Sequence, residues 1–448
     1  MSTITAGITV PTGLTLTSDT TGGLTFQVSG TVTALSIGAG ATTTITNAAI
    51  TSLTISNPST FPAGSASAPA VTTTGDLDTG IYFPAANEVA VTTGGTVATA
   101  FNSNGLFFRN RIINGDMRID QRNAGASVTP SGGAIAFVVD RFFAYPNVAS
   151  KLTAQQNAGS VAPPAGFKNY FGVTSSSAYS PAAGDVFPIG QLIEGFNVAD
   201  LGWGASGALP VTLSFWVRSS LTGTFGGSLG NSAFDRSYPF TYAISAANTW
   251  EYKTVTIPGD TTGTWLTNNG VGLRVYLSAG NGTTYAGTAG AWAGTAYYSA
   301  SSTVNLVGTN GATLYVTGVQ LETGSVATPF ERRPYGTELA LCQRYFQQIS
   351  SGGIGSAHYT TAVTLGGQFP VAMRATPTAS LTGTFRIDQV GVAGFTQSAS
   401  NITSINGGNS ATAWSAAFAN FTGLTQFSPV TMSDTGGHTT KLQFSIEL

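Results

Sequence analysis

The sequence predicts an all-β protein drawn out into several modules, and three observations predict it. Apolar residues fall in short runs that alternate with Thr and Ser, the two-residue period of strands. Turn formers are abundant, with 57 glycines in 448 residues, and they break the runs at close intervals. Charge is scarce, at 17 Lys+Arg against 19 Asp+Glu, about a third of the usual share, and disordered chains are usually charged and poor in apolar residues. The length is a soft prior for about three domains.

Composition also excludes function classes. A near-neutral chain lacks the positive field that drives nucleic-acid binding, so no nucleic-acid partner is expected. Cys342 is the only cysteine, so no intrachain disulfide forms, which suits folding in a reducing cytoplasm. No apolar run approaches transmembrane length, so no membrane insertion is expected. The first Lys or Arg is Arg109, so no positive signal-peptide region is read.

Residues 1–73 read as an N-terminal shaft and attachment region. Units such as Gly13-Leu14-Thr15-Leu16-Thr17 and Ser52-Leu53-Thr54-Ile55-Ser56 have the strand period but thin apolar faces. One copy cannot exclude enough water to offset roughly 1–2 kcal/mol of backbone entropy per residue. Three copies wound about one axis would pool those faces, so the chain is expected to form an elongated homotrimeric fibre. Residues 74–108 read as a small β connector with turns at Ala86-Asn87, Gly94-Gly95 and Asn104-Gly105.

Residues 109–334 have the aromatic and aliphatic density of a true core. Strands are expected at Val211–Arg218, Tyr252–Ile257, Leu273–Leu277 and Leu314–Leu321. Residues 335–448 begin with one short helix that Thr337 would cap. Leu339, Cys342, Phe346 and Ile349 follow at spacings of three, four and three, an apolar seam that three copies could share on an axis, with a linker helix lying on its own jelly roll as the equal alternative. A C-terminal β domain follows the helix.

Thr313 to Phe346 reads TLYVTGVQLETGSVATPFERRPYGTELALCQRYF, which resembles a stretch recurring in bacteriophage tail fibres. Asp78-Thr79-Gly80-Ile81-Tyr82-Phe83-Pro84, with the strand after it, resembles a small module of the same fibres. Asn110-Arg111-Ile112-Ile113-Asn114-Gly115-Asp116-Met117 and Val316-Thr317-Gly318-Val319-Gln320-Leu321-Glu322 resemble the opening and closing of a carbohydrate-binding-module jelly roll. The resemblance implies that these two segments are neighbours and that the protein touches a host. Family members carry an acid pair where this chain has Thr317-Gly318, so no structural calcium is carried over. A virion part leaves its host by lysis and requires no export signal.

Catalytic motifs do not hold up. Gly226-Gly227-Ser228-Leu229-Gly230 matches a nucleophile elbow but lacks a following helix. Asp78-Thr79-Gly80 and Asp434-Thr435-Gly436 imitate an aspartic-protease pair with unmatched flanks. His358 and His438 lack partners at metal-ligand spacing. Glu194, Asp200, Glu251 and Asp260 are scattered carboxylates, not a glycosidase pair. No catalytic residue, metal or cofactor is assigned, and the protein is read as no enzyme.

Two groups of residues remain. Trp203, Trp265, Trp292 and Trp414 sit in Gly/Ala/Asn/Thr-rich surroundings and are the candidate glycan platforms, with packing between protomers as the alternative. Trp216 and Trp250 read as core or sheet residues. The scarce charges cluster at Arg109, Arg111, Asp116 and Arg118, and again at Glu322, Glu331, Arg332 and Arg333. These clusters, with Leu339, Cys342, Phe346 and Ile349, are the candidate trimer junction.

Together these features read as a homotrimeric phage tail fibre, assembled in the bacterial cytoplasm. It would dock on tail or baseplate proteins through its N-terminal region and adsorb to a host surface polysaccharide. A head or collar decoration fibre and a glycan-degrading tailspike are the alternatives. Sedimentation equilibrium of the intact chain at micromolar concentration is expected to give the mass of three chains; a compact, fully ordered single chain would remove the shared-core argument.

Overall fold

A computed structural model describes residues 60–101, 109–349, 353–382, 385–390, 396–399, 402–405, 410–419, 421–433 and 441–448. The chain divides into Met1–Thr60 and Phe61–Leu448. The shaft assigned to residues 1–73 therefore lies almost wholly outside the described residues, and the account below concerns the second unit.

The connector is a four-stranded antiparallel sheet of β1 (Val71–Thr73), β2 (Asp76–Tyr82), β3 (Val89–Thr93) and β4 (Thr96–Phe101) in chain order. Its turns follow the residues that favour left-handed backbone, with Asn87 at φ 63° and Gly94 and Gly95 at φ 55° and 72°. One face buries Tyr82, Ala90 and Thr92. The Glu88 carboxylate anchors the module by accepting from the Ser325 backbone N–H at 3.0 Å and the Ser325 hydroxyl at 2.6 Å.

The next eleven long strands build a two-sheet sandwich. They are β5 (Ala136–Val139), β6 (Phe142–Ala144), β7 (Leu152–Gln156), β8 (Phe171–Ser175), β9 (Val186–Glu194), β10 (Val211–Ser219), β11 (Gly223–Gly230), β12 (Ser237–Ile244), β13 (Glu251–Ile257), β14 (Val271–Asn281) and, after the short parallel pair β15 (Ala286–Gly287) and β16 (Ser299–Ala300), β17 (Thr313–Thr323). One sheet runs β13-β10-β17-β8-β7 and the other β12-β11-β14-β9-β6-β5, antiparallel throughout. The chain changes sheet repeatedly, which is jelly-roll wiring. Alternation sets the faces: Val211, Leu213, Phe215 and Val217 of β10 enter the core with Leu314, Val316 and Leu321 of β17 and Leu273, Val275 and Leu277 of β14. Each such fully buried side chain contributes roughly 1.5–3 kcal/mol.

The opening and closing segments meet, as their motifs imply. Arg111 N–H donates to the Leu321 carbonyl at 2.8 Å, and the Asn110 side chain bonds Val319 and Leu321. Asn114 takes a left-handed backbone, φ 59°, and its amide group joins Ile119 and the Asp140 carbonyl. Gly115 lies against β17, where a methyl group would fall 2.2 Å from the Val319 carbonyl oxygen. Asn-Gly is thus the pair this crossing demands.

The helix α1 spans Tyr335–Gln343. It begins before Thr337, because Pro334 supplies the fixed φ and its carbonyl accepts the Glu338 N–H at 3.1 Å. The helical seam is not formed. Phe346 and Ile349 lie on β18 (Phe346–Ile349), while Cys342 packs with Ile113, Ile119 and Tyr345 of its own chain, next to Leu339. A spacing of three, four and three satisfies a helix, and it equally satisfies a short helix that gives way to a strand.

The C-terminal domain is a second β unit. A three-stranded sheet holds β18, β27 (Lys441–Ser445) and β21 (Thr378–Thr382). A seven-stranded sheet runs β23 (Thr396–Ala399), β22 (Phe385–Gln389), β26 (Pro429–Ser433), β19 (Ile354–Tyr359), β20 (Ala362–Gln368), β25 (Ala413–Ala419) and β24 (Ile402–Ile405). Its core includes Val363, Leu365, Phe418, Leu442 and Phe444.

Buried ions fasten this domain to the sandwich. Arg344 grips Glu194 in a two-pronged bond at 2.9 and 2.6 Å, and the Tyr345 hydroxyl donates to the same carboxylate at 2.7 Å. Arg122 and Arg141 both bind Glu447, and Arg141 lies 3.6 Å from the Tyr345 ring centroid. Asp140 sits beside them. Burial pushes its carboxyl up to about 7, against the pull of the Gln121 amides. The folded chain therefore holds a proton that the unfolded chain releases above about pH 4, so Asp140's contribution to stability falls as pH rises from about 4 to about 7. Asp140→Asn is expected to flatten the decline of melting temperature across that window; an unchanged slope would refute the assignment.

Candidate functional site

Three of the four tryptophans chosen from sequence come together. Trp203, Trp265 and Trp292 meet edge to face, with centroids 4.7, 5.3 and 5.5 Å apart, and Tyr238 joins Trp292 at 5.2 Å. Each indole N–H is held internally, by the carbonyls of Leu209, Thr262 and Pro258. The trio closes one end of the sandwich core and ties loops together; Arg236 fixes the same region through a two-pronged bond to Asp260 at 2.7 Å. The interlocked, half-buried rings with occupied N–H groups brace this region, and Trp203 and Trp265 also line a cavity of about 490 Å3 with Val198, Leu201 and Leu273. Trp414 is corrected outright. It is 3% exposed in the C-terminal core, beside Phe444. Its Gly/Ala-rich setting resembles a loop, but Trp414, Ala416 and Phe418 alternate inward along β25.

The charge clusters also meet, but within one chain. Glu331 accepts the backbone N–H groups of Arg109 and Asn110 at 3.3 and 3.0 Å. Arg333, buried, reaches Glu338, Glu331 and the carbonyls of Asn110 and Ile112. Glu338 accepts the Asn114 N–H at 2.5 Å. Arg118 pairs with Asp116 at 3.3 Å, and Arg111 with Asp200 at 2.5 Å. These contacts set the register of one chain's own segments.

An open aromatic feature lies elsewhere, on the outer face of the β13-β10-β17 sheet. There a groove of about 1560 Å3, counting its open mouth, is lined by Phe167, Trp216, Tyr252, Thr254, Thr256, Gly318, the 325–330 segment and Arg332, with Gly95–Val97 of the connector at one lip. The bottom follows from strand parity. Val211, Leu213, Phe215 and Val217 point inward, so Trp216 points out, next to Tyr252 of β13 with centroids 5.4 Å apart. Tyr252 is 43% exposed. Its hydroxyl, partly buried and near Ser214, is pushed above the usual phenol range by desolvation, so it stays protonated at neutral pH.

Gly318 shapes the groove. It breaks the β10-β17 register as a bulge and takes φ 62°. A methyl group there would lie 2.7 Å from the Phe167 ring and 3.2 Å from the Trp216 indole. The glycine thus lets Phe167 and Trp216 close over the strand. Phe167 continues to Phe330, at 5.3 Å. Glu322 fixes the adjoining wall. Its buried carboxylate accepts from the Thr328 N–H and hydroxyl at 2.8 and 2.6 Å and from the Gln320 amide at 2.8 Å, and burial raises it above the ordinary carboxyl range. Trp216 and Tyr252 read from sequence as sheet residues. That Trp216 and Tyr252 face outward, and that this outer face is uncovered, comes from the structure.

Ser228 lies buried in mid-strand on β11, between β12 and β14. Glu194, Asp200, Glu251 and Asp260 are each held by a different cation, Arg344, Arg111, Lys253 and Arg236. His358 is exposed on β19, and Asp434 and His438 lie outside the described residues.

No protein-family model matches the chain, and no curated protein matches it. Solved structures with similar stretches include the enzymatically active domain of tailspike protein 4 of bacteriophage CBA120, at 10% identity and TM-score 0.24 over 48% of this chain. This chain spans only 21% of that one. A family 11 carbohydrate-binding module of Clostridium thermocellum, solved with a β-1,3-1,4-mixed-linked tetrasaccharide, is similar at 11% identity and TM-score 0.22 over 47% of this chain and 100% of that one. The tandem CBM22 domains of Paenibacillus barcinonensis Xyn10C align at 9% identity and TM-score 0.21 over 73% of this chain and 98% of theirs. These overlaps are too loose to transfer any residue's role.

If the tryptophans outside the groove serve packing, Trp414→Ala is expected to cost about 3–5 kcal/mol in urea unfolding, the usual range for a buried aromatic. A loss below about 1 kcal/mol would contradict its place in the core.

Proposed function

We propose that this chain is a structural fibre of a phage virion, a homotrimer that adsorbs to a host surface glycan through the groove on the outer face of the β13-β10-β17 sheet. The observation that carries the reading is the row of Tyr252, Trp216 and Phe167 along an open, hydroxyl-lined trough. Sugars present flat C–H faces and outward hydroxyls. Aromatic rings take the first by apolar and π contact. Exposed Thr254 and Thr256 exchange hydrogen bonds with the second. The trough is shallow, so one site binds weakly. Three copies per fibre and several fibres per particle raise the effective concentration and hold the particle on a cell.

The fibre assignment draws on the sequence resemblance of residues 74–108 and 313–346 to tail-fibre segments. The role proposed is binding, not cleavage. Glycoside hydrolysis uses two carboxyl groups across the scissile bond, and no Asp or Glu is among the described residues that line the groove.

Alanine at Trp216 or Tyr252 is expected to weaken binding of purified protein to the host glycan about tenfold, with an unchanged melting temperature, since such a ring contact is worth about 1.4 kcal/mol. Unaltered binding in both variants would exclude the groove. Release of oligosaccharides from host polysaccharide would exclude the binding-only role.

A further inference from the structure

We infer that the groove is built for an acidic glycan, one that carries a carboxylate or phosphate, and that Arg332 is the residue that selects it. This rests on the groove being the glycan site.

Arg332 lines the groove and is exposed. Its guanidinium lies 4.7 Å from the Phe167 ring centroid and 5.6 Å from that of Phe330. Two aromatic rings thus hold a long side chain that would otherwise sample many rotamers, and ordering it in advance lowers the cost of binding through it. Among the described residues its guanidinium has no ion pair, unlike those of Arg111, Arg118, Arg122, Arg141, Arg236, Arg333 and Arg344. The carboxyl groups around it are committed elsewhere. Asp116 pairs with Arg118 and feels Arg332 only as a weaker charge beyond ion-pair distance, Glu322 is closed by Thr328 and Gln320, and Glu331 takes backbone N–H groups and Arg333.

The position completes the row. Tyr252 adjoins Trp216, Trp216 and Phe167 converge over Gly318, and Arg332 stands on Phe167. A saccharide chain laid on the rings would bring a substituent to the guanidinium. A planar fork of N–H donors binds a carboxylate or phosphate in two-pronged fashion, which a neutral hydroxyl cannot match. No acid is among the groove's described lining residues, and the nearest to its lip is Asp78, beside Gly95.

The test compares one oligosaccharide in three matched forms, carboxylate-bearing, phosphate-bearing and neutral, the last made by carboxyl reduction. Affinity is measured for the intact protein and for Arg332→Gln and Arg332→Lys. Wild type is expected to prefer at least one anionic form roughly ten- to hundredfold, the range for a charge-assisted pair. Which form it prefers separates a sugar acid from a phosphate substituent. Arg332→Gln is expected to abolish the preference while neutral binding stays within about twofold, and Arg332→Lys to keep part of it. No preference in wild type, or a preference that survives Arg332→Gln, would overturn the inference and leave the groove as a neutral-glycan site. Failure of wild type to bind any of the three would overturn the groove reading, and this inference with it.

Discussion

The strand Thr313–Thr323 is the constraint on which the rest depends. It pairs with β10 on one side and β8 on the other, and it receives the opening segment Asn110–Met117 on its rim. That crossing leaves no room for a side chain at Gly115. Bringing residues 110 and 321 together closes a loop of some two hundred residues, a cost that hydrogen bonds alone repay poorly. The repayment comes from the sandwich core, whose inward-facing Leu, Val and Phe side chains exclude water on both sheets.

The same strand supplies both architecture and surface. Its inner face is core. Its bulge at Gly318 opens the space in which Phe167 and Trp216 converge. Its last residues, Gln320 and Glu322, hold the 325–330 segment as the groove's wall. Immediately after it, Glu331, Arg333 and Glu338 tie the opening segment to the helix. Few charges exist in this chain, and many of those described are inside. Buried pairs are poor sources of net stability because desolvation offsets their attraction. Their value here is directional, since an unpaired ion in these positions would be costly and only one arrangement satisfies them all.

Much of this was legible before any coordinates. The strands at Val211, Tyr252, Leu273 and Leu314 could be read from a two-residue period, and the Asn87 and Gly94-Gly95 turns from backbone preference. The meeting of the two charge clusters followed from the neighbouring of first and last segments. Trp203, Trp265 and Trp292 share Gly/Ala/Asn/Thr-rich surroundings in the chain, and only the fold shows that their rings interlock. Leu339, Cys342, Phe346 and Ile349 left two readings open, because a helix that stops after about two and a half turns keeps the same spacing as one that continues. Trp414 misled because small neighbours mark loops and tightly packed strands alike.

Sequence by itself settled the all-β class and, for the described strands, which side is apolar, because alternation is a local property that each strand carries alone. Which apolar or aromatic face is left uncovered was decided only by the tertiary structure. Trp216 and Trp414 sit on equally regular strands, yet one lies in an open groove and the other is sealed under Phe444. The difference lies in segments remote in the chain that pack across them or do not, and nothing in the residues beside either tryptophan encodes it.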